Sequence, residues 1–243
     1  EKVNTCLRES IVTDPDYAEL YFHLAHINFV AWQMGYKADE GLITEAIAFA
    51  DKSIALDPLS AKGYFGKGLL SFVIEDWEVM HHFLQKAVDM APNNVEILSN
   101  AGLLAITGGN CTLNELRDRD GEQSSYNTGD CRWKPGMEML LKAFEIDKGN
   151  LYPVKNYGIA HVYNYWGEYE QAYDQMQLAV SPGMIWYEMH SAISAAGMKD
   201  AKLTEKHFAA VKAIIGSNKL NDVKAHFDRW HIPQYWEMSK DFL

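Results

Sequence analysis

His23 and His26 stand three residues apart in "HLAH", which puts both imidazoles on one face of a helix, close enough to share a metal ion. His81 and His82 are adjacent and point in different directions. No carboxylate or cysteine falls at a spacing that completes either site. All four therefore read as ordinary helix histidines, and neither a metal nor a cofactor is expected. The stretch "GGNCTLNELRDRDGEQSSYNTGDCRWKPG", Gly108 to Gly136, holds the other chemically suggestive residues. Its glycines lack the Lys-Ser/Thr partner of a phosphate loop. "DRDGEQSS" partly resembles a calcium loop, but the twelfth position from Asp118 is Gly129, where a bidentate Glu is required. Asn110 in "NCT" is a formal glycosylation acceptor. No nucleophile, base and acid stand at a spacing that argues for catalysis, and the chain is read as a non-enzyme.

Cys111 and Cys131, one near each end of this polar stretch, enclose 19 residues. A disulfide between them would staple the excursion, at about 3 kcal/mol in the chain-entropy model. Such bonds persist outside the cytoplasm, so an extracytoplasmic, periplasmic site is expected; two unpaired thiols in a cytoplasmic protein are the alternative. Cys6 lies on a helical pattern and is expected to be a small buried apolar residue without a disulfide partner. The net charge of −11, from 22 basic and 33 acidic residues, argues against direct nucleic-acid contact. No apolar run is long enough to span a membrane. The chain opens inside a helical pattern without Met, which reads as a mature or excised piece.

The elements that would position these residues show a period. Pro58 and Pro92 are 34 residues apart, as are Gly68 and Gly102. Each Pro ends one helix and suits the first turn of the next. Each mid-helix Gly costs roughly 1 kcal/mol against Ala, but a small residue there lets a neighbouring helix approach closely. With Tyr64, Gly68, Leu84, Ala87 and Pro92 in place, and Met80 where a small Ala is usual, this unit resembles the tetratricopeptide repeat (TPR). "DPDYAELYFHLAHINF" opens an earlier unit with Ala25 at the small position and about nine extra residues. The unit after Pro92 reaches its boundary at Asp147–Lys148, 22 residues late, so 110–133 reads as an insertion between the two helices of one repeat. Ala160, Gly167, Tyr169, Ala172 and Ala179 mark a further unit; a looser one follows, and 217–243 reads as capping helices. The resemblance implies one all-α domain over 1–243, a right-handed superhelical solenoid of about five helix pairs with an inserted loop.

In layout and phrasing the long first repeat and the ending "DRWHIPQYWEMSKDFL" are similar to the C-terminal TPR region of bacterial adenylate cyclases and ToxR-type membrane-anchored transcription regulators. That would make the chain a sensory module. A structural adaptor in the cell envelope is the alternative. In the repeat register the groove-facing residues are Phe22, His26, Phe29, Phe65, Leu69, Phe72, Leu103, Tyr157, His161, Asn164 and Tyr187. Co-chaperone TPRs clamp a carboxylate with Lys, Arg and Asn; only Lys62 and Asn164 come close here, so an apolar groove for a peptide, a partner helix or a small apolar ligand is expected. A homodimer is open, and half of these aromatics are expected only to pack against the neighbouring repeat.

Overall fold

The computed structural model describes residues 2–33, 40–108, 133–179 and 184–216, with 224, 225, 228 and 236. Among them are eleven α-helices and no strand: α1 Lys2–Thr13, α2 Ala18–Gln33, α3 Glu40–Leu56, α4 Ala61–Val73, α5 Trp77–Met90, α6 Val95–Thr107, α7 Trp133–Ile146, α8 Val154–Trp166, α9 Tyr169–Ala179, α10 Ile185–Gly197 and α11 Ala201–Ile215. From α2 onward they form five successive pairs. The helices fall into two compact units, residues 1–97 and 98–243. Cys111, Cys131 and most of 217–243 lie outside the described residues.

The chemistry at the helix ends is local. Ser60 caps α4 by accepting from Lys62 N–H, Asp76 caps α5 through Val79 N–H, and Asp200 caps α11 through Leu203 N–H. In the first unit the turn before a first helix is built twice in the same way. Tyr21 donates to the Pro15 carbonyl at 2.9 Å, and Tyr64 to the Pro58 carbonyl at 3.2 Å. Each tyrosine also carries a lysine of its partner helix over its ring, Lys52 and Lys86.

The second helix of every pair carries a buried i, i+4, i+7 stripe, which meets its own first helix at Leu84 and Gly136 and the next first helix at Ser53 and Leu140. The stripes are Ala46, Ala50 and Ser53 on α3; Met80, Leu84 and Ala87 on α5; Gly136, Leu140 and Ala143 on α7; Ala172, Met176 and Ala179 on α9; and Thr204, Phe208 and Val211 on α11. The repeat glycines answer this packing. A Cβ on Gly68 would stand 2.6 Å from Leu84 Cδ2, and one on Gly102 would stand 2.6 Å from the Gly136 carbonyl oxygen. The small residues are there because helices touch, as the 34-residue period implies.

In the second unit the α7–α8 turn is held by a buried ion pair. Lys155, fully enclosed, donates to Asp147 Oδ2 at 2.7 Å, to Asn150 Oδ1 and to the Tyr152 carbonyl. Asp147 also accepts from the N–H groups of Leu151 and Tyr152. Burial pushes its carboxyl up; the Lys155 and backbone hydrogen bonds outweigh this and bring it to about 2. One expectation needs correcting here: Cys6 is exposed on α1, its thiol free, because α1 buries no residue at all.

Candidate functional site

The residues expected to form one groove wall lie in two sets, one in each unit. In the first unit α2 and α4 lie side by side. The rings of Phe22 and His26 stack at 5.5 Å, and Phe65 sits 6.2 Å from both. Phe29 stacks on Trp32, which meets Phe72 edge-on at 6.1 Å. The expected open wall is closed: Phe65 and Leu69 are 1% exposed and Phe72 is 0%. The cause is lateral packing, since aromatics at successive positions of adjacent first helices reach each other before they reach solvent. Phe22 and Phe29 are buried as well, and only His26 is partly open. Burial lowers the His26 pKa, against a smaller opposing pull from Glu96.

Around this floor the accessible side chains are polar. Glu19 and Lys62, on α2 and α4, form an exposed ion pair; Tyr17 donates to Glu19 at 3.0 Å, and His23 Nε2 lies 3.5 Å from Glu19. The Lys62 and Tyr17 hydrogen bonds hold the Glu19 carboxyl below its ordinary value. Beside them opens a cleft of about 420 Å³ lined by Asp16, Tyr17, Ala18, Glu19, Ser53, Leu56, Asp57, Ser60 and Lys62. None of the cleft residues belonged to the expected apolar set. Their signal was the chain's two Asp-Pro turns, at Asp14-Pro15 and Asp57-Pro58, which set the two first helices in one register.

In the second unit Tyr157, His161 and Asn164 on α8 meet α10, and all three are buried. His161 Nε2 lies 2.8 Å from the Tyr165 hydroxyl, and its ring is 5.3 Å from that of His190. Ser194 Oγ is 2.9 Å from Asn164 Oδ1. Burial holds the His190 pKa down to about 3; burial, then His190 beside it, holds His161 well below its ordinary value. Tyr187 joins Tyr157 in the core between α8, α9 and α10. Leu103, on α6, is half-buried. Sequence reasoning missed His190 and Ser194. They stand three and seven residues after Tyr187, so the helical step from Tyr187 would have found them.

A third cluster was also missed. His207 Nδ1 is 2.7 Å from Glu188 Oε2, and its Nε2 is 3.2 Å from the Tyr173 hydroxyl. With Glu188 ionised, Nδ1 carries the proton and Nε2 accepts from Tyr173. A carboxylate–imidazole–hydroxyl chain is an acid–base arrangement in form, yet His207 is 1% and Glu188 6% exposed, so no substrate reaches the imidazole. It ties α10 to α11 and α9. Among the described residues no three or more His, Cys, Asp or Glu side chains stand together to hold a metal ion, and no helix is long and apolar enough to cross a membrane.

No family model matches the chain. Among curated proteins, Hsp70-Hsp90 organizing protein 2 of Arabidopsis thaliana is 30% identical over 87 residues, which is 34% of this chain and 15% of that protein. The chain thus matches well under a fifth of that relative's length. Solved structures share the architecture more fully. A chain of the APC/C hetero-tetramer Cut9-Hcn1 superposes with a TM-score of 0.68 at 14% identity, covering 94% of this chain and 39% of that one. PilW, a type IV pilus biogenesis factor, superposes with a TM-score of 0.60 at 11% identity, covering 92% and 91%. A thermophilic TPR protein of Thermus thermophilus gives 0.55 at 12%, covering 78% and 91%. What is shared at these identities is the fold: an all-α, TPR-type solenoid.

Proposed function

We propose that the chain is a non-enzymatic scaffold that binds a protein or peptide partner. The observation that carries this reading is the cleft of about 420 Å³ in the first unit. It is open, it joins two successive repeats, and Tyr17 beside it is 50% exposed. An exposed aromatic ring next to a charge pair is the composition of a peptide-recognition surface. Glu19, Asp16 and Asp57 outnumber Lys62 there, so the partner segment that fits carries a basic side chain beside an apolar one. A displayed random-peptide library tests the reading. Selected peptides should be rich in Lys or Arg, and Tyr17→Ala with Lys62→Glu should change their affinity at least tenfold. Peptides that bind both forms alike would move the site elsewhere.

The role within a larger assembly is a further part of the proposal. A sensory module of a bacterial signalling or transcription regulator is supported by the resemblance of the first repeat and the ending. An envelope adaptor is supported by two of its fold neighbours, a type IV pilus biogenesis factor and a chain of a hetero-tetrameric complex. Partner stoichiometry separates them: an adaptor holds two proteins at once, a sensory module one ligand. For the periplasmic site we propose a Cys111–Cys131 disulfide. Thiol counting under denaturing, non-reducing conditions should find one free thiol per chain, and three in oxidised protein would reject the bridge.

A further inference from the structure

The cleft of the first unit is built around the end of a helix. Ser53 and Leu56, in the last turn of α3, line it together with Asp57, which follows them. The carbonyls of a helix end carry a partial negative charge, and no basic side chain stands in the last turn of α3 to answer it. On the other side the first turns of α2 and α4 enter, and their partial positive charge is met within the chain. Ser60 accepts from Lys62 N–H, and Glu19 lies in the first turn of α2. The Glu19 and Lys62 side chains also neutralise each other. The charge left over is that of Asp16, Asp57 and the α3 carbonyls, so the cleft calls for a cation.

A separate observation marks where the cation goes. Ser53 is 3% exposed. Buried helix hydroxyls of this chain donate to the carbonyl four residues back, as Ser71, Thr107, Ser194 and Thr204 do. The Ser53 hydroxyl makes no such bond, and it has no other partner among the described residues. Ser99 and Ser191 share this state but are sealed inside the fold, whereas Ser53 lines the cleft. Gly63 keeps α4 back from it, since a Cβ there would stand 3.2 Å from Ser53 Oγ. Ser53 and Asp57 are four residues apart, so they share one face at the end of α3. Of the two Asp57 oxygens, Oδ1 already accepts from Leu59 N–H.

We propose that the cleft reads a lysine side chain of the partner segment, its ammonium held by Ser53 Oγ and Asp57 Oδ2 and its methylenes laid on Leu56 and Tyr17. This rests on the peptide-cleft reading and names the side chain that enters. The acceptors decide between lysine and arginine. A guanidinium is planar and binds best across both oxygens of one carboxylate. Both Glu19 oxygens are engaged, by Lys62 and by Tyr17, and Asp57 has one oxygen left. Asp16 is exposed, and an exposed ion pair adds little. An ammonium is compact, carries three donors and is satisfied by single acceptors on separate groups, which is what Ser53 and Asp57 offer. Acetylation removes the lysine charge, so acetylation of the partner switches the contact off.

The probes are blocked dipeptides: acetyl-Leu-Lys-amide, acetyl-Leu-Arg-amide, and the first of these acetylated at Nε. Each is titrated into the full chain and followed by the NMR shifts of the Ser53, Leu56 and Asp57 amides. The lysine probe should saturate at roughly millimolar concentration, the range of a few contacts. The arginine probe should bind about tenfold more weakly, and the acetylated probe should be silent. Ser53→Ala should erase the preference for lysine. Its hydroxyl pairs with nothing in the fold, so the urea midpoint should stay where it was, which separates a lost contact from a folding defect. Asp57→Asn keeps the acceptor for Leu59 N–H and should weaken the lysine probe about tenfold. No shift with the lysine probe, equal binding of the lysine and arginine probes, or an unchanged preference in Ser53→Ala overturns the inference. The wider reading fails separately. Library peptides in which Lys and Arg are interchangeable remove the lysine pocket and leave the peptide cleft standing. A lysine probe that saturates at Ser53 and Asp57, with library peptides indifferent to the cleft variants, keeps the pocket and removes the peptide role.

Discussion

Phe65, Leu69 and Phe72 on α4 and Tyr157, His161 and Asn164 on α8 are the same stripe, spaced i, i+4, i+7, in two units of one chain. All six are buried. On α4 the stripe is apolar and meets aromatic neighbours. On α8 it is polar and finds Tyr165 and Ser194. The difference teaches that this position of the repeat is interior whatever its chemistry, so its composition reports what stabilises each unit. In the first unit that is burial of apolar area, which is indifferent to pH. In the second it is a set of buried hydrogen bonds and ring contacts between groups that must stay neutral.

The sharpest way to break this contrast is truncation. Phe72→Ala removes a ring that is 0% exposed, and the expected loss is about 3–5 kcal/mol of stability, read from the shift in urea midpoint. A variant that kept its stability and lost only partner binding would restore the open-groove reading. Lys155→Ala is the counterpart in the second unit. It strands the Asp147 carboxylate in a site with 7% side-chain exposure, and the expected cost is about 3 kcal/mol. Asp147 has its pKa lowered in the fold, so its contribution is complete above the unfolded carboxylate range near pH 4 and is lost as pH falls toward 2.

The helix pairs were legible in the sequence because Pro58, Pro92, Gly68 and Gly102 are backbone requirements, and a period of backbone requirements is visible without any structure. The accessibility of the face was not. Position on a helix tells which way Phe65 points but not whether Phe22 on the next helix is long enough to cover it. Lys155 was invisible for a related reason: a lysine at a turn reads as solvated, and only the joint placement of Asp147, Asn150 and the Tyr152 carbonyl makes a buried socket for it.

A change of pH sharpens the comparison next. His190 and His161 have pKa values depressed by burial. A depressed histidine takes up its proton in the unfolded chain first, near pH 6.5. The stability it contributes is therefore complete above that value and is lost as pH falls toward the folded value, about 3 for His190. From pH 7.5 to 5 the expected loss is roughly 1–2 kcal/mol per histidine. Segment-resolved hydrogen exchange, corrected for intrinsic rates, should show α8 and α10 losing protection over this range while α4 changes little. His26 is also depressed by burial, so α2 should respond in the same direction but less. Equal loss across α4, α8 and α10 would mean the two stripes are not energetically distinct.

The smallest expected effect isolates one bond of the polar stripe. Ser194 Oγ lies 2.9 Å from Asn164 Oδ1 and 2.9 Å from the His190 carbonyl, so its one proton is shared between two acceptors. Ser194→Ala should cost about 1 kcal/mol, the usual net worth of a hydrogen bond. Asn164→Leu should cost more, because it also removes a snug polar side chain that is 0% exposed. The informative variant is the double. With both partners apolar no acceptor is left without its donor, and the position then matches Phe72 on α4 in character. The double change should therefore cost less than the sum of the singles, by a coupling of about 1 kcal/mol in a double-mutant cycle. Strict additivity would show that Asn164 and Ser194 act through separate partners, and the polar stripe would then be a row of independent contacts.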